Sequence, residues 1–344
     1  MMKSSGITFS KLFWPTILLG ILLPLTNVHM ISNQIYAQQT DPQQQFQQPQ
    51  QQFQQPQPSI STATNVPVGM SPFGIAYNSE NGYVYVANFY SNSISVVDGF
   101  TNDLVMSIPL DSNTFPAGVI ADSDNGDVYV TNFYSPSTTG TNLSTGTVSV
   151  INGSTNEVAN TIQVGISPLG IASNPENGNL YVTNFYSGSI SVINGSTNSV
   201  VDTIDGIQYP YQIAYNQANG NMYVTSPPTS SVAIIDSSNN DVIGNIPVSL
   251  SPLGIANNPT TGDLYVTNYN SDPNSNGSVT AIDDATNGVM TTVPSGGSGV
   301  TGITINPENG NLYVTNWYSQ TVSIISTANL LQGQQQTPPV LQQQ

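Results

Sequence analysis

The sequence predicts an all-β fold built from tandem repeats, and three observations carry this prediction. A four-residue motif recurs six times, at 85–88, 129–132, 181–184, 223–226, 265–268 and 313–316. The successive spacings are 44, 52, 42, 42 and 48 residues, and a period near 42 is typical of a four-stranded propeller blade. No 3.6-residue apolar period of helical length occurs between residues 60 and 331. The sequence therefore predicts a six-bladed β-propeller of four-stranded blades.

The third repeat shows the strands expected in one blade. Its inner, second, third and outer strands are predicted at 168–173, 179–184, 189–193 and 200–204. Tyrosine and β-branched residues dominate these segments, as strand propensity requires. The dipeptide Asn177-Gly178 supplies the positive φ angles that a tight hairpin needs.

The two ends of the repeat region predict how the ring closes. Residues 67–74 match 163–170 and 247–254, which follow outer strands, whereas the last repeat stops soon after its third strand at 321–326. We therefore expect an N-terminal outer strand near residues 60–68 to complete the sixth blade. This closure would remove an unpaired strand edge that invites aggregation.

The six motifs read YVAN, YVTN, YVTN, YVTS, YVTN and YVTN. They resemble the YVTN-type β-propeller repeat family, known especially from archaeal surface-layer and other exported proteins. The resemblance covers the predicted propeller domain, 59–331, and implies its fold. Propellers of this and neighbouring groups include adhesion modules, lactonases and lyases, so the fold does not choose among these functions.

The N-terminal segment predicts export. Lys3 and Lys11 precede an apolar run at 12–25, which has the length of a signal-peptide core and is short for a membrane span. Ala37 is a plausible cleavage residue, so 1–37 is predicted to be a signal peptide, with a retained signal anchor as the alternative. In both cases the rest of the chain is expected to be secreted or on the cell surface.

Two segments flanking the repeats are predicted to be disordered. Residues 38–58 contain 13 glutamines in 21 positions, which leaves too little apolar surface to fold. The segment 332–344 is a similar Gln-rich tail. Passive spacers are the simpler interpretation of both, and associating Gln-rich tracts are the alternative.

Charge excludes several kinds of partner. The only basic side chains are Lys3, Lys11 and His29, whereas the chain carries 19 carboxylates. A chain cleaved after Ala37 would lack the cations that neutralise phosphates or anionic lipids, which argues against nucleic-acid binding and against a basic membrane patch. A cell-envelope protein or glycan is the expected partner, with membrane attachment only through a retained anchor.

Aromatic residues follow most of the motifs. In a four-stranded blade, the loops between second and third strands share one face with the blade-to-blade connections, and we call this the top face. Exposed aromatic rings there suit carbohydrate or protein recognition. The candidate ligand-binding residues are Tyr90, Tyr134, Tyr186, Tyr269, Trp317 and Tyr318. Packing between blades is the alternative for these side chains and the expectation for Phe89, Phe133 and Phe185.

Two top-face loops are longer than the others. From the last motif residue to the first apolar residue of strand three there are 16 positions in blade two, 11 in blade five and 6 in each other blade. Blades two and five are opposite each other in a six-bladed ring, so these inserts would flank the channel mouth. Neutral loop drift is the alternative.

Metal binding is expected to be weak at most. Asp272, Asn274, Asn276 and Asp283 have EF-hand spacing, but the predicted third strand carries Asp283 to the opposite face. Two interpretations of this loop remain. Asp272, Asn274 and Asn276 bind calcium weakly, or the loop is an ordinary polar loop. The motif asparagines could also offer oxygens to calcium, but their repetition favours bonding to turn backbone. No other cofactor is expected.

Four sequons, at Asn142, Asn152, Asn194 and Asn276, predict glycosylation of the exported protein. Asn142 and Asn276 lie in the two top-face inserts, and Asn152 and Asn194 lie in turns on the opposite, bottom face.

The residue inventory argues against catalysis. Without Lys, Arg, His or Cys after residue 37, most nucleophilic chemistry is closed. Of 18 carboxylates in the propeller, 14 fall in bottom-face turns, and only Asp111, Asp205 and Asp272 belong to the top face. The propellers that this chain resembles include antibiotic-cleaving lyases that depend on a histidine base, and no histidine follows residue 37 in this chain. The sequence favours a non-catalytic extracellular binding or scaffold module; a metal- or carboxylate-dependent lactonase or glycan-active enzyme is the alternative.

Overall fold

The computed structural model of this protein describes residues 65–133 and 145–332. The described residues form six antiparallel β-sheets arranged as blades, which confirms the predicted six-bladed β-propeller. The predicted signal peptide, the linker at 38–58, Tyr134 and Asn142 lie outside the described residues, as do 333–344. Among the residues that the structure describes, no helix is long and apolar enough to cross a membrane.

The strands follow one another through the blades in chain order. They are β1 Pro72–Asn78, β2 Tyr83–Asn88, β3 Ser93–Asp98, β4 Leu104–Pro109, β5 Pro116–Ala121, β6 Val128–Asn132, β7 Thr147–Asn152, β8 Glu157–Gln163, β9 Pro168–Asn174, β10 Asn179–Asn184, β11 Ser189–Asn194, β12 Ser199–Asp205, β13 Ile213–Asn216, β14 Asn221–Ser226, β15 Ser231–Asp236, β16 Asp241–Pro247, β17 Pro252–Asn257, β18 Leu264–Asn268, β19 Ser278–Ile282, β20 Val289–Pro294, β21 Val300–Asn306, β22 Asn311–Asn316 and β23 Thr321–Ser326. A short 3-10 helix, Pro227–Thr229, replaces the turn after β14, and the α-helix α1, Thr327–Gln332, follows β23.

Five blades are four-stranded meanders, and the sixth has three strands within the described part of the chain. The predicted N-terminal outer strand is wrong for residues 65–68, because 65–71 form no strand; 60–64 lie outside the described residues. Residues 70 and 71 bond instead to the top-face turn of blade one, where the Met70 N–H donates to Ser91 Oγ (2.6 Å). The Ser71 carbonyl accepts from the Phe89 N–H (2.9 Å).

In blades one to four, the hydroxyl of the motif tyrosine connects a blade to the next. The tyrosine is the largest side chain buried between the sheets, and its ring is at most 1% exposed in blades one to five. The Tyr129 hydroxyl donates to Asn198 Oδ1 (2.8 Å) and the Tyr181 hydroxyl to Asn240 Oδ1 (3.1 Å), both across the seam between blades. The acceptor asparagines have positive φ in the turns before the outer strands, a conformation that asparagine tolerates well.

The motif threonine makes a second connection. Thr131 Oγ1 accepts from the Gly118 N–H of its own blade (2.7 Å) and donates to the Leu169 carbonyl of the next inner strand (2.9 Å). A β-bulge between residues 116 and 119 releases the Gly118 N–H from the ladder. A Cβ on Gly118 would lie 2.3 Å from the Leu169 oxygen, so this approach requires glycine.

The seam between blades six and one lacks both connections. Thr315 bonds only within its own blade, to Thr301 Oγ1 (3.0 Å) and the Gly302 carbonyl (3.3 Å). No hydrogen bond joins Tyr313 to a described residue of blade one. Ile75 of blade one and Ile324 of blade six are 67% and 64% exposed, whereas residues at the matching positions of the other seams are buried or half-buried.

The tyrosine connection predicts a difference between two matched substitutions. Tyr181→Phe should destabilise the protein by about 1 kcal/mol, the usual net value of one buried hydrogen bond. Tyr313→Phe should leave the free energy of unfolding unchanged, because the Tyr313 hydroxyl has no partner in blade one. Denaturant unfolding of both variants measures the difference. An equal loss in Tyr313→Phe would show that blades six and one are bonded in solution.

Asp122 departs from the repeat at the first turn of blade two. The matching residues of the other blades are Asn78, Asn174, Asn216, Asn258 and Asn306. Each side-chain oxygen accepts the N–H two residues later, as Asp122 Oδ1 does from Asp124 (3.1 Å). Burial raises the pKa of Asp122, and the nearby carboxylates Asp124 and Asp127 add to the shift.

Asp122→Asn should therefore stabilise the protein at pH 7, by about 1 kcal/mol. A raised folded-state pKa means that ionisation costs stability as pH rises through that pKa. The gain should vanish below the unfolded-state pKa of about 3.9, where Asp122 is protonated in both states. Thermal unfolding of wild type and variant at both pH values measures this. The control Asp241→Asn removes the same charge from the exposed start of strand β16, and an equal gain there would contradict a specific effect of burial.

Candidate functional site

The top face carries a continuous array of aromatic rings from blade one to blade four. Phe89 and Phe133 have ring centroids 6.1 Å apart, Phe133 and Tyr186 6.4 Å, and Tyr186 and Tyr209 6.3 Å. These separations are within the range of favourable aromatic pairs. We call this the aromatic array, and its members are Phe89, Tyr90, Phe115, Phe133, Phe185, Tyr186, Tyr209 and Tyr211.

Two kinds of loop meet to form the array, as the sequence predicts for one face of a propeller. The Phe133 N–H, after β6, donates to the Phe115 carbonyl in the connection from blade one (3.0 Å). The Phe185 N–H donates in the same way to the Ser167 carbonyl (3.0 Å). The same bond recurs in every blade except the fourth, so the aromatic residue that follows each of these five motifs is fixed beside the segment that leads into its own blade.

A second aromatic group lies on blades five and six. Trp317 and Tyr318 are stacked, with centroids 5.5 Å apart and 17° between ring planes. The Tyr318 and Tyr269 hydroxyls share a hydrogen bond (2.7 Å). Burial, reinforced by this bond to Tyr318, raises the pKa of Tyr269, so its hydroxyl is neutral at physiological pH.

Exposure divides the predicted binding residues. Tyr90, Tyr186, Trp317 and Tyr318 are half-buried and keep part of each ring open to solvent. Tyr269 is buried, so it supports Tyr318 from below. The expected packing of phenylalanines between blades is observed for Phe89 and Phe133, which are 8% and 2% exposed. Phe185 is half-buried.

Sequence reasoning missed the aromatic residues that the connections contribute. Phe115 lies 5.3 Å from Phe89, and Tyr209 lies 5.2 Å from Phe185, centroid to centroid. The signal was available, because matching connections have serine at these positions, as at Ser71, Ser167 and Ser251.

Phe115 and Tyr209 also have strained backbones. Their φ angles are 49° and 46°, which are unusual for bulky residues. Such strain costs on the order of 1–3 kcal/mol and is concentrated at functional sites. Serine occupies the same conformation in other blades at φ of 53° to 56°, so an aromatic ring is not required there for folding.

The loop that carries the predicted weak calcium site forms a hydrogen-bonded turn. Asp272 Oδ1 accepts the Asn274 N–H (2.9 Å), and Oδ2 accepts the Ser275 hydroxyl (2.8 Å). These bonds lower the pKa of Asp272. Strand β19 separates the loop from Asp283, whose Oδ1 accepts from Thr286. Among the described residues, no group of three His, Cys, Asp or Glu side chains could hold a metal ion.

The motif asparagines bond differently from the expectation. Asn184 Nδ2 donates to Ser189 Oγ (3.2 Å) and Ser191 Oγ (2.9 Å) on the third strand, and not to its own turn backbone. The matching oxygens have no hydrogen-bond partner among the described residues in five blades: Asn88, Asn132, Asn184, Asn268 and Asn316. Blade four has Ser226 instead, which donates to the Gln208 carbonyl (2.6 Å).

The remaining predicted positions are exposed or partly exposed. Asp111, Asp205 and Asp272 are exposed in three different blades. Among the sequons, Asn276 is exposed, and Asn152 and Asn194 are half-buried at the bottom-face ends of β7 and β11.

Known structures share the fold of this chain. No protein-family model and no curated protein matches it. It is similar to Kuenenia stuttgartiensis hydrazine synthase, with a TM-score of 0.63 and 20% identity over 75% of this chain and 84% of that chain. A streptogramin B lyase structure has a TM-score of 0.58 and 16% identity over 75% and 83%.

A third similar structure is a catalytically inactive virginiamycin B lyase from Staphylococcus aureus with quinupristin. Its TM-score is 0.60, with 16% identity over 75% of this chain and 82% of that chain. At these identities the likeness shows the propeller fold alone, since one fold supports many functions.

Proposed function

We propose that this protein is a non-catalytic, extracellular binding module that recognises a glycan or protein through the aromatic array. One observation carries the proposal. Phe115 and Tyr209 replace serine at positive φ, and both add a ring to the same array. The fold imposes a positive φ at this position in other blades too, but it does not require a bulky side chain there, and the two aromatic residues are explained if their rings serve binding. Flat aromatic rings bury large area at little entropic cost and stack well on sugar faces.

The proposal that the module is not an enzyme rests on its side chains. No Lys, Arg, His or Cys follows residue 37, so a general base or acid would have to be a carboxylate or tyrosine. The three top-face carboxylates lie in different blades, and no two of them share a hydrogen bond within the described residues. Two carboxylates acting on one bond must lie within about 10 Å of each other.

Export and cell-surface location belong to the same proposal. They rest on the predicted signal peptide at 1–37, and membership of the YVTN-type repeat family rests on the six motifs. Glycosylation at Asn142, Asn152, Asn194 and Asn276 is part of this proposal, as is a cell-envelope protein or glycan as partner.

The aromatic array predicts which substitutions abolish binding. On an array of immobilised glycans, Tyr186→Ala and Tyr209→Ala should each weaken binding at least tenfold, because each removes a ring that contacts its neighbour. Phe100→Ala is the control, since Phe100 is 94% exposed in a bottom-face turn and should bind as wild type does.

Equal binding by all three variants would contradict the proposal. It would also be contradicted if Tyr186→Ala kept its binding while Phe100→Ala lost it. Mass spectrometry of each bound glycan, before and after incubation, tests the absence of catalysis. A cleaved product would favour an enzyme.

A further inference from the structure

A cleft of about 280 Å³ lies between blades one and two, on the outer-strand side of the seam. One wall is the end of β4 and the connection to β5, and the other is the blade-two surface that faces it. The polar side chains that line it include Asp111, Thr114, Asn132, Thr147, Ser149 and Thr161.

The cleft exists because one connection is longer than its counterparts. Leu110 and Val164 begin equivalent connections, since each N–H donates to a turn carbonyl of its own blade. Phe115 and Ser167 end them, since each carbonyl accepts the N–H that follows the next motif. Three steps separate Val164 from Ser167, whereas five separate Leu110 from Phe115. The two extra residues move this connection away from blade two.

Blades one, three and six fill the same place with glycine. A Cβ added to Gly69 or Gly165 would lie 2.6 Å from the carboxamide carbon of Asn88 or Asn184. Gly297 packs against its motif asparagine in the same way, at 2.4 Å. In blade two the connection carries Asp-Ser-Asn at 111–113 in place of glycine, and Asn132 lines a cleft.

The floor of the cleft presents both donors and acceptors. Asn132 is 1% exposed, and its Oδ1 has no hydrogen-bond partner among the described residues. Its Nδ2 donates to Thr147 Oγ1 (2.8 Å) and Ser149 Oγ (2.9 Å). Each hydroxyl accepts from Asn132 and keeps its own hydrogen for donation. The matching asparagine Oδ1 also lacks a partner among the described residues in four other blades. Blade two is therefore distinguished by the open cleft above Asn132 and not by the unpaired oxygen.

We propose that this cleft binds one neutral sugar residue. Adjacent hydroxyl donors, a carboxamide acceptor and the exposed Asp111 carboxylate match the hydroxyl groups of a pyranose. An anionic ligand is disfavoured, because no cation follows residue 37 and Asp111 is negative. The volume is near the lower limit of ligand pockets, about 300 Å³, which suits one ring. The site is separate from the aromatic array and does not depend on it.

Saturation-transfer NMR of the full chain with the methyl glycosides of glucose, galactose, mannose and N-acetylglucosamine tests the proposal. At least one glycoside should bind. Thr161→Leu should weaken that binding at least tenfold by filling the cleft. Thr203→Leu is the matched control, because Thr203 pairs with Ser191 in blade three as Thr161 pairs with Ser149 in blade two. Both threonines are exposed, so both variants should fold.

A second pair tests the floor. Ser149→Ala and Ser191→Ala each remove one acceptor of a motif asparagine and should lose equal stability, but only Ser149→Ala should lose affinity. Failure of all four glycosides to bind overturns the proposal. So does equal affinity of Thr161→Leu and wild type, or equal loss in the blade-three controls. Loss of glycoside binding in Tyr186→Ala alone would place the sugar on the aromatic array instead.

Discussion

In blades two to five, the hydroxyl of the motif threonine accepts a bond from its own inner strand and donates one to the next inner strand. This bond sets how closely the inner strands approach, so it constrains the residues around it. The strand must bulge to release an N–H, and Gly118 must have no side chain because the next carbonyl lies where a Cβ would be. A buried hydroxyl that both accepts and donates has its polar group satisfied, which explains why a hydroxyl side chain recurs there.

A fixed inner ring leaves the top-face loops free to vary. Each connection needs only to deliver a carbonyl to the N–H that follows the next motif, as Ser71, Phe115 and Ser167 all do. Side chains at these positions can therefore change at little cost to the fold. The connection from blade one to blade two is longer than its counterparts and places Phe115 in the aromatic array. The connection from blade three to blade four places Tyr209 there. The proposed binding surface is therefore built on loops that a rigid scaffold holds in place.

The fold could be predicted from the sequence because each blade repeats the same local signals. The second strand of blade three, Asn179–Asn184, was predicted with its observed bounds, since Asn177-Gly178 and the tyrosine motif mark both ends. Features that depend on pairing between strands could not be predicted. The partners of Asn184, Ser189 and Ser191, are known only once the register of β10 and β11 is known. The cleft above Asn132 likewise appears only when the connections are superposed.

At the seam between blades six and one, the sequence repeats the residues of the other seams although their contacts are not made between the described residues. Tyr313 and Thr315 are the residue types that make the tyrosine connection in blades one to four and the threonine connection in blades two to five, although neither bonds to a described residue of blade one. On the blade-one side of this seam, Asn102 has a φ of 63°, like the asparagines that accept a tyrosine hydroxyl at other seams. Ile75 and Ile324 carry apolar surface that the other seams bury. Both halves of the connection are therefore present, and this seam differs from the other five in its missing contact and not in its side-chain chemistry.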